Sequence, residues 1–307
     1  MDEEGGLQGR IIKGIAGFYY VETRTGEVFA CKARGRFRRD DIKPLPGDHV
    51  TFVITHEGDR EGSLIGIHPR RNTLVRPPVA NVDQALLFFS IKKPDPSMSL
   101  IDRYLISMGR TGLRSVIAFN KSDIAPDPET EILKRTYDGA GADVFVVSAQ
   151  TGQGLDELLS ALSGKITALA GPSGAGKSTL INRLCPHAKA QTGELSIGND
   201  RGKNTTRSSE LYRVEGETLD GKETWLVDTP GFSALELPDM EPQELAPLYP
   251  EFMKYPGMCR FTSCRHISEP GCAVSEAAKK GDIPISRYES YVQFERELEL
   301  RIQNRYR

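Results

Sequence analysis

The sequence predicts an α/β domain with a phosphate-binding loop, flanked by an N-terminal β-barrel and a C-terminal zinc-binding α-helical domain. A glycine-rich segment at residues 171–179 lies between an apolar run typical of a strand and one typical of a helix. Short apolar segments separated by Gly-rich turns precede it, and three cysteines and a histidine crowd into residues 259–272. We therefore predict domains over residues 1–70, 71–235 and 236–307.

The composition fits a folded chain without a membrane segment. Of its 307 residues, 38% are hydrophobic and 27% are charged, and the net charge is −2, so a polyanion would have to bind a local basic patch. No apolar run approaches the roughly 20 residues of a membrane span, and the acidic start does not resemble a signal peptide. Five cysteines favour a reduced compartment with a metal site over a disulfide framework. We expect a cytoplasmic protein with no membrane partner.

The N-terminal segment is predicted to form five short strands, the number found in barrels of the oligonucleotide-binding type, the OB-fold. They cover residues 10–15, 18–22, 27–32, 48–54 and 63–67. The loop that follows the third strand carries Phe37 among five cations, including Arg34, Arg36, Arg38 and Arg39. Such a loop can neutralise RNA phosphates while the phenyl ring stacks on a base, although a solvated charged loop explains the same pattern.

Strands and helices alternate after a predicted linker at residues 69–71 and 76–78. We predict strands at 84–90, 115–119, 143–147, 209–215 and 223–227, and helices at 129–137 and 155–162. A further helix begins with Ser99 as N-cap and Asp102 at the third position of a capping box. The tail at residues 287–307 alternates Arg and Glu along a predicted helix, which a solvated face alone would explain.

The glycine-rich segment has the spacing of a phosphate-binding loop. Its glycines allow successive N–H groups to surround a phosphate, Lys177 would reach the β- and γ-phosphates, and the Ser178 hydroxyl would hold Mg²⁺. A chance Gly-rich turn before a helix is the alternative. The predicted binding residues are Gly171, Pro172, Ser173, Gly174, Ala175, Gly176, Lys177, Ser178 and Thr179.

Two further segments predict specificity for guanine. The Asp123 carboxylate of Asn120-Lys121-Ser122-Asp123 can accept hydrogen bonds from N1–H and N2–H₂ of guanine, a donor pair that adenine lacks. The Lys121 stem can pack along the base, and Ser148-Ala149 would supply backbone donors near O6. Asn-Lys-x-Asp on its own is also an ordinary strand-to-helix turn.

The order of these segments indicates a circular permutation. Asp228 ends a predicted strand and would hold Mg²⁺, and the Gly231 amide would sense the γ-phosphate. In the common GTPase arrangement the phosphate loop comes first and the guanine segments come last, whereas here the guanine segments come first. Residues 164–165 would then join what are ordinarily the last helix and the first strand, which is feasible because chain termini usually lie close together.

Cys259, Cys264, His266 and Cys272 supply three thiolates and one imidazole, enough for a closed tetrahedral zinc site. Their spacing is not that of a common zinc finger. The alternative is that buried cysteines and a surface histidine lie close together by chance. The local Gly and Pro content favours a turn held by a metal.

With these motifs the chain resembles the ribosome small-subunit-dependent GTPase A family over nearly its whole length. The resemblance implies a circularly permuted P-loop GTPase domain, GTP or GDP with Mg²⁺, one Zn²⁺, and hydrolysis stimulated by the small (30S) ribosomal subunit late in its assembly. It also implies rRNA rather than DNA as the nucleic-acid partner, and a monomer. The family's switch segment usually ends in His-Thr-Thr, which implies roles for Thr205 and Thr206, but Asn204 stands at the histidine position.

The sequence also predicts slow chemistry. Many GTPases have a glutamine after Asp-x-x-Gly that orients the attacking water, and here that position is Phe232, which has no hydrogen-bonding group. Ribosomal RNA or a switch residue such as Asn204 would have to position the water. The alternatives are a GTPase with another RNA or protein partner, and a nucleotide-binding module with negligible turnover. The presence of Lys177, Ser178 and Asp228 argues against the second.

Overall fold

A computed structural model describes most of the chain, and the described residues fall into two compact units. The first unit draws on Met1–Gln84, Ala161–Ala170 and Ser178–Gly231, and the second on Ala85–Ser160, Gly171–Lys177 and Phe232–Arg307. The three-domain boundaries given above stay a prediction. The structure describes residues 6–33, 37, 43–56, 58, 60–74, 78–125, 127–186, 209–215, 222–228 and 236–305.

The first unit contains the predicted β-barrel. Strand β1 pairs antiparallel with β2 and β4, β2 with β3, and β4 with β5, and a parallel β3–β5 pair closes the barrel. This closed order leaves no free sheet edge within the barrel. The strands are β1 Leu7–Ile15, β2 Phe18–Thr23, β3 Val28–Ala33, β4 His49–His56 and β5 Glu61–Ile67.

Phe37 lies in the core of this barrel. Its side chain is 6% exposed and belongs to the cluster of apolar residues contributed by the barrel strands. The prediction that its ring stacks on an RNA base is therefore wrong, because burying the ring in the core removes it from the surface. Arg34, Arg36, Arg38 and Arg39 lie outside the described residues.

The predicted linker is held against the barrel. Arg70 Nε donates to Asp48 Oδ1 at 2.7 Å, and Asp48 is fully buried. A hairpin follows, with β6 at Thr73–Leu74 paired to β7 at Val79–Ala80. The chain between barrel and α/β domain is thus anchored at its start rather than loose.

The first unit also holds part of the predicted α/β sheet. β11 (Ile166–Ala170) lies parallel to β13 (Trp225–Asp228), and β12 (Glu210–Arg213) lies antiparallel to β13. β12 also pairs with barrel strand β1 at Lys13 and Glu210, whose side chains form an ion pair at 3.1 Å. Barrel and α/β sheet therefore share a continuous set of strands within this unit.

The second unit contains the strand order β10-β9-β8, with β9 and β10 parallel. The N-cap of the helix after β8 is Ser97 rather than the predicted Ser99. Ser97 has extended backbone and its hydroxyl accepts from Leu100 N at 3.3 Å, which are the properties of an N-cap. The elements are β8 Gln84–Ser90, α1 Met98–Thr111, β9 Arg114–Asn120, α2 Asp127–Tyr137, β10 Ala142–Val146 and α3 Leu155–Leu162.

Helix α4 (Lys177–Leu184) follows the glycine-rich loop, and the C-terminal part is mostly helical. Its long helix is not merely a solvated face, because Tyr291, Phe294 and Leu298 are buried at helical spacing in a common core. No helix among the described residues is long and apolar enough to cross a membrane. The C-terminal elements are short 3₁₀ turns at Pro242–Glu244, Ala246–Leu248 and Phe252–Lys254, then α5 Ala273–Lys280 and α6 Ile285–Arg305.

A buried ionic group joins α6 to α1. The Arg287 guanidinium, 1% exposed, donates to Asp102 at 2.5 Å and to Glu251 at 2.7 Å. It also lies over the rings of Tyr137 and Tyr249 at 5.6 and 4.6 Å. Removing one partner of such a group leaves an uncompensated buried charge, which lowers the stability of the protein by about 3–5 kcal/mol. The C-terminal helix is therefore fixed to the helix that follows β8.

Candidate functional site

The two predicted guanine segments leave neighbouring parallel strands. β9 ends at Asn120 and β10 at Val146, and the two strands pair in register with Phe119 beside Val146. Because both strands run in the same direction, the segments that follow them emerge at the same sheet edge. The fold thus brings Asn120–Asp123 next to Ser148–Ala149.

Asn120 connects three of the predicted segments through one side chain. Its Nδ2 donates to the carbonyl of Ala175 in the glycine-rich loop at 2.8 Å, and its Oδ1 accepts from the amide of Ala149 at 2.8 Å. The side chain is 3% exposed, so both bonds are shielded from water. The sequence marked Asn120 as part of a motif, but nothing local in it indicated this bridging role.

Ser148 orients the carboxylate of Asp123. Its fully buried hydroxyl donates to Asp123 Oδ1 at 2.6 Å and accepts from the Thr151 amide at 3.0 Å. The Asp123 side chain itself is exposed, as a group that meets a ligand must be. The hydroxyl therefore fixes the direction of the carboxylate without covering it.

The contact predicted between guanine O6 and the amides of Ser148 and Ala149 is not supported by this geometry. Ser148 N donates to Gln153 O at 2.9 Å, and Ala149 N donates to Asn120. Amides already bonded inside the protein are poor candidates for a ligand contact. Both residues also position neighbouring groups, and their contact with guanine O6 stays a prediction.

Lys121 and Ser122 lie between Asn120 and Asp123 in the guanine motif. Lys121 has a left-handed backbone, with φ of 69°, and its ammonium donates to the carbonyl of Lys93. Ser122 N donates to Val147 O at 3.2 Å, which connects the guanine motif to the residue that follows β10. A strained non-glycine backbone of this kind persists only where surrounding contacts hold it, and it is frequent at binding sites.

The glycine-rich loop has a backbone conformation suited to binding an anion. Gly171 has φ of 149°, and a Cβ there would lie 2.1 Å from the carbonyl oxygen of Phe88, so only glycine fits. The Lys177 ammonium donates to the carbonyls of Gly171 and Pro172 at 2.7 and 2.8 Å, which holds its charge over the loop. Ser173 and Gly174 at the tip are exposed. The loop can therefore receive phosphate oxygens from the solvent side.

Gly176 permits the contact between this loop and Asn120, and Gly176→Ala tests it. Gly176 has φ of 100°, and an added Cβ would lie 2.3 Å from Asn120 Nδ2. We expect guanine nucleotide affinity to fall by at least about tenfold, because the methyl group displaces Asn120 from Ala175. Titration with a fluorescent guanine nucleotide measures this.

Gly112→Ala is the matched control for that substitution. Gly112 also has positive φ, 70°, but an added Cβ would meet nothing within 4 Å. It should lower stability by about 1–2 kcal/mol through backbone strain alone and leave nucleotide affinity unchanged. Equal affinities in both variants would contradict a role for the Gly176 contact.

The predicted Mg²⁺ ligands lie in the first unit. Ser178 and Thr179 are exposed in the first turn of α4, directly after the loop. Asp228 ends β13 and pairs in parallel register with Leu169 of β11, the strand that leads into the loop. Thr205, Thr206 and Gly231, together with Asn204 and Phe232, lie outside the described residues.

The predicted zinc ligands come together in the second unit. One donor atom from each of Cys259, Cys264, His266 and Cys272 lies within 4.8 Å of all the others. His266 Nδ1 is 3.6 Å from Cys259 Sγ and 3.4 Å from Cys272 Sγ. Tetrahedral zinc, with bonds of about 2.0–2.3 Å to nitrogen and sulfur, requires ligand separations of roughly 3.5–3.8 Å. Three thiol groups and an imidazole at these separations fit a zinc ion.

The loop that carries these ligands is held by its own hydrogen bonds. The Glu269 carboxylate accepts from the amides of Arg265, Ile267 and Ser268 at 2.8, 3.0 and 3.1 Å. The Tyr291 hydroxyl of α6 donates to Arg265 O at 2.8 Å. Burial raises the pKa of the Cys264 thiol to about 12, so a thiolate forms there only beside a cation.

The comparisons with known proteins agree with this arrangement. Residues 67–238 match the model of the RsgA GTPase family, and residues 8–63 match that of the RsgA N-terminal domain. The small ribosomal subunit biogenesis GTPase RsgA of Geobacillus sp. (strain WCH70) is 46% identical over 297 residues, covering 96% of this chain and 98% of that protein. The protein of the same name from Alkaliphilus metalliredigens (strain QYMF) is 45% identical over 286 residues, covering 93% and 96%.

Two solved structures resemble the whole chain. YjeQ from Thermotoga maritima has a TM-score of 0.74 and 35% identity, with 95% of this chain and 98% of that chain covered. YloQ, a circularly permuted GTPase, has a TM-score of 0.72 and 35% identity, with 98% and 97% covered. The predicted permutation is thereby confirmed, as is the resemblance inferred from the motifs. The chain is a circularly permuted GTPase and belongs to the RsgA GTPase family.

Proposed function

We propose that this GTPase assists assembly of the small ribosomal subunit and that the subunit stimulates its hydrolysis of GTP. The observation that supports this most strongly is the pair of hydrogen bonds by which Asn120 joins the guanine motif to the phosphate loop. The relatives of the chain are named for biogenesis of the small ribosomal subunit. The cytoplasm, where such a partner would be met, is the proposed compartment.

Guanine recognition is assigned to the segment after β9. Asp123, held by Ser148, would accept from N1–H and N2–H₂ of the base, and the Lys121 stem and Ser122 would lie beside it. Asn120 and Ala149 keep these groups in register with the phosphate loop. Discrimination against adenine follows, because adenine would leave the Asp123 carboxylate without donors.

Phosphate binding and hydrolysis are assigned to the loop and the segments that follow it. The amides of residues 171–177 with Lys177 would hold the β- and γ-phosphates, Thr179 would support the helix end of the loop, and the Gly231 amide would contact the γ-phosphate. Mg²⁺, when bound, neutralises charge on the phosphate oxygens. Its proposed ligands are Ser178 and Asp228, and the switch residues Thr205 and Thr206 are assigned to hydrolysis.

The flanking domains would bind the ribosomal partner. Zn²⁺ on Cys259, Cys264, His266 and Cys272 would hold the C-terminal loop in shape, since the distances of 3.6 and 3.4 Å from His266 Nδ1 to Cys259 Sγ and Cys272 Sγ are close to the tetrahedral values. The barrel would contact rRNA through its basic loop at residues 34–39. Phe37 takes no part in that contact, because its ring lies in the barrel core.

Turnover of GTP with and without small ribosomal subunits tests this proposal. We expect the subunit to accelerate hydrolysis at least about tenfold, because Phe232 cannot orient the attacking water and the subunit would supply that positioning directly or by ordering a switch residue such as Asn204. Release of phosphate under multiple turnover is the measurement. Lys177→Ala should abolish both rates, which shows that the turnover comes from this site.

Large ribosomal subunits at the same concentration are the control for the partner. Equal stimulation by both subunits would favour another RNA or protein partner. An unchanged rate with small subunits, despite normal GTP affinity, would favour a nucleotide-binding module with negligible turnover.

A further inference from the structure

We propose that a basic cavity in the first unit binds a small ligand carrying several phosphate groups. The cavity has a volume of about 740 Å³. It lies between barrel strands β1 and β2 and residues 163–166, which lead into β11. None of the residues assigned above to guanine, phosphate, Mg²⁺ or Zn²⁺ lines it. The site is therefore separate from the one that binds GTP.

Positive charge predominates in the lining of the basic cavity. The acidic lining residues are Glu22, Asp83 and Glu223. The cationic ones are Arg10, Arg24, Arg71, Lys165 and Lys222. His49 adds no charge near neutral pH, because burial and the neighbouring Arg10 lower its pKa to about 4.

Each acidic group is engaged in an ion pair, and the single charge of Arg213 is shared between Glu22 and Glu223. Arg213, which does not line the cavity, lies 3.3 Å from Glu22 and 3.1 Å from Glu223. Asp83 pairs with Arg71 and also accepts from the Ile166 amide at 2.8 Å. The charge left in the cavity therefore comes from cations such as Arg10, Arg24 and Lys222, none of which has an ion-pair partner among the described residues.

Arg10 is the fixed cation at the cavity wall. Its Nη1 donates to Gly47 O at 3.1 Å, its Nη2 is 2.7 Å from His49 Nε2, and its guanidinium lies 5.7 Å from the centre of the Trp225 ring. The buried Nε has no hydrogen-bond partner in the part of the chain that the structure describes. Glu223 and Asp83 act on the Arg10 charge from beyond ion-pair distance. A half-buried guanidinium that is held by neutral groups and has no carboxylate within ion-pair distance is suited to an external anion.

The lining indicates which class of anion fits. A volume of about 740 Å³ is within the range of small-molecule sites, roughly 300–1,000 Å³. Phe, Tyr and Trp are absent from the lining, and the aromatic ring that lines the cavity, that of His49, is held at Nε2 by Arg10. Several cations spread over the walls match several phosphate groups better than a single carboxylate. Tripolyphosphate reproduces that chemistry.

Isothermal titration of the full-length protein with sodium tripolyphosphate tests this site. The protein is first saturated with GDP in Mg²⁺-free buffer, so that the phosphate loop is occupied and Mg²⁺ does not compete for the probe. We expect one tripolyphosphate per chain, and binding at least about tenfold weaker in Arg10→Gln and in Arg24→Gln/Lys222→Gln. Arg24 and Lys222 are exposed, so the double variant keeps the test valid if Arg10→Gln fails to fold.

Arg60→Gln is the matched control, because it removes an exposed arginine of the same barrel that does not line the cavity. It should bind tripolyphosphate like the unmodified protein, and GDP affinity should be equal in all variants. Failure of the unmodified protein to bind GDP would count against the proposed function, not against this cavity. Tripolyphosphate binding that is absent, or equal in all variants, would overturn the inference. If a short oligouridylate binds instead and loses affinity in the cavity variants, the cavity serves RNA and the small-ligand proposal is wrong.

Discussion

Asn120→Ala is expected to weaken GTP binding by about 100-fold, which corresponds to about 2.7 kcal/mol. The substitution removes both hydrogen bonds of a 3% exposed side chain and leaves the Ala175 carbonyl and the Ala149 amide without their partner. Each unpaired buried group disfavours the bound arrangement by about 1–3 kcal/mol. Titration with a fluorescent guanine nucleotide gives the affinity, and urea unfolding gives the stability.

Asn81→Ala controls for the loss of stability. Asn81 is also 3% exposed, and its side chain also bridges two backbone groups, accepting from Arg71 N at 2.8 Å and donating to Gly47 O at 3.1 Å. Its backbone has φ of 61°, so alanine there should destabilise the protein at least as much. GTP affinity should nevertheless stay unchanged, since Asn81 is not part of the guanine site.

Asn120→Asp separates the two hydrogen bonds. The carboxylate can still accept from Ala149, but it faces the Ala175 carbonyl without a donor. We therefore expect a loss of affinity close to that of Asn120→Ala, because the contact with the phosphate loop is the one removed. Affinity equal to that of the unmodified protein in both Asn120 variants would show that the bridge does not support nucleotide binding.

The sequence predicted those parts of the site that depend on local chemistry. A strand followed by Asn-Lys-x-Asp, and another followed by a Gly-rich loop with Lys177, specify backbone shapes within a few residues. The bridge from Asn120 to Ala175 spans 55 residues, and the bond from Arg287 to Asp102 spans 185. Side-chain pairings between residues so far apart in the sequence depend on the assembled fold, so no local sequence pattern predicted them.

Two details of the fold were predicted wrongly, and each has its own physical reason. The five cations around Phe37 suggested a surface loop, but an aromatic ring that is next to charges in the sequence can still pack into a barrel core, as Phe37 does. Ser97 and Ser99 both satisfy the composition of an N-cap. The choice between them depends on where the backbone leaves the extended conformation, which the alternation of residues does not specify.

Removal of zinc is expected to have the largest effect on the C-terminal part of the chain. Structural zinc sites contribute about 10–16 kcal/mol of binding free energy at neutral pH, more than the stability of an average domain. The loop that holds Cys259, Cys264 and His266 contains no regular helix or strand, so its shape depends on the metal, the Glu269 carboxylate and contacts with α6. Cys264→Ala should therefore lose both the metal and the fixed structure of this loop.

Elemental analysis and limited proteolysis measure these two results. We expect about one zinc per chain in the unmodified protein, as one four-ligand site implies, and cleavage at residues 257–271 after Cys264→Ala or treatment with a strong chelator. Cleavage should extend into α5, because Cys272 is its N-cap and accepts from Ser275 N at 3.4 Å. The core around Tyr291 and Phe294 should keep α6 folded, because apolar side chains such as Ile283 and Leu298 make up most of it, although the proposed ligand Cys272 also lies in it.

Cys185→Ala is the control for the loss of a thiol. Cys185 is 2% exposed and is not a member of the metal cluster, so this variant should retain zinc and resist cleavage like the unmodified protein. A Cys264→Ala variant that keeps one zinc per chain would exclude Cys264 as a ligand. A metal-free protein that resists cleavage at residues 257–271 would show that Glu269 and the packing against α6 hold the loop without any metal.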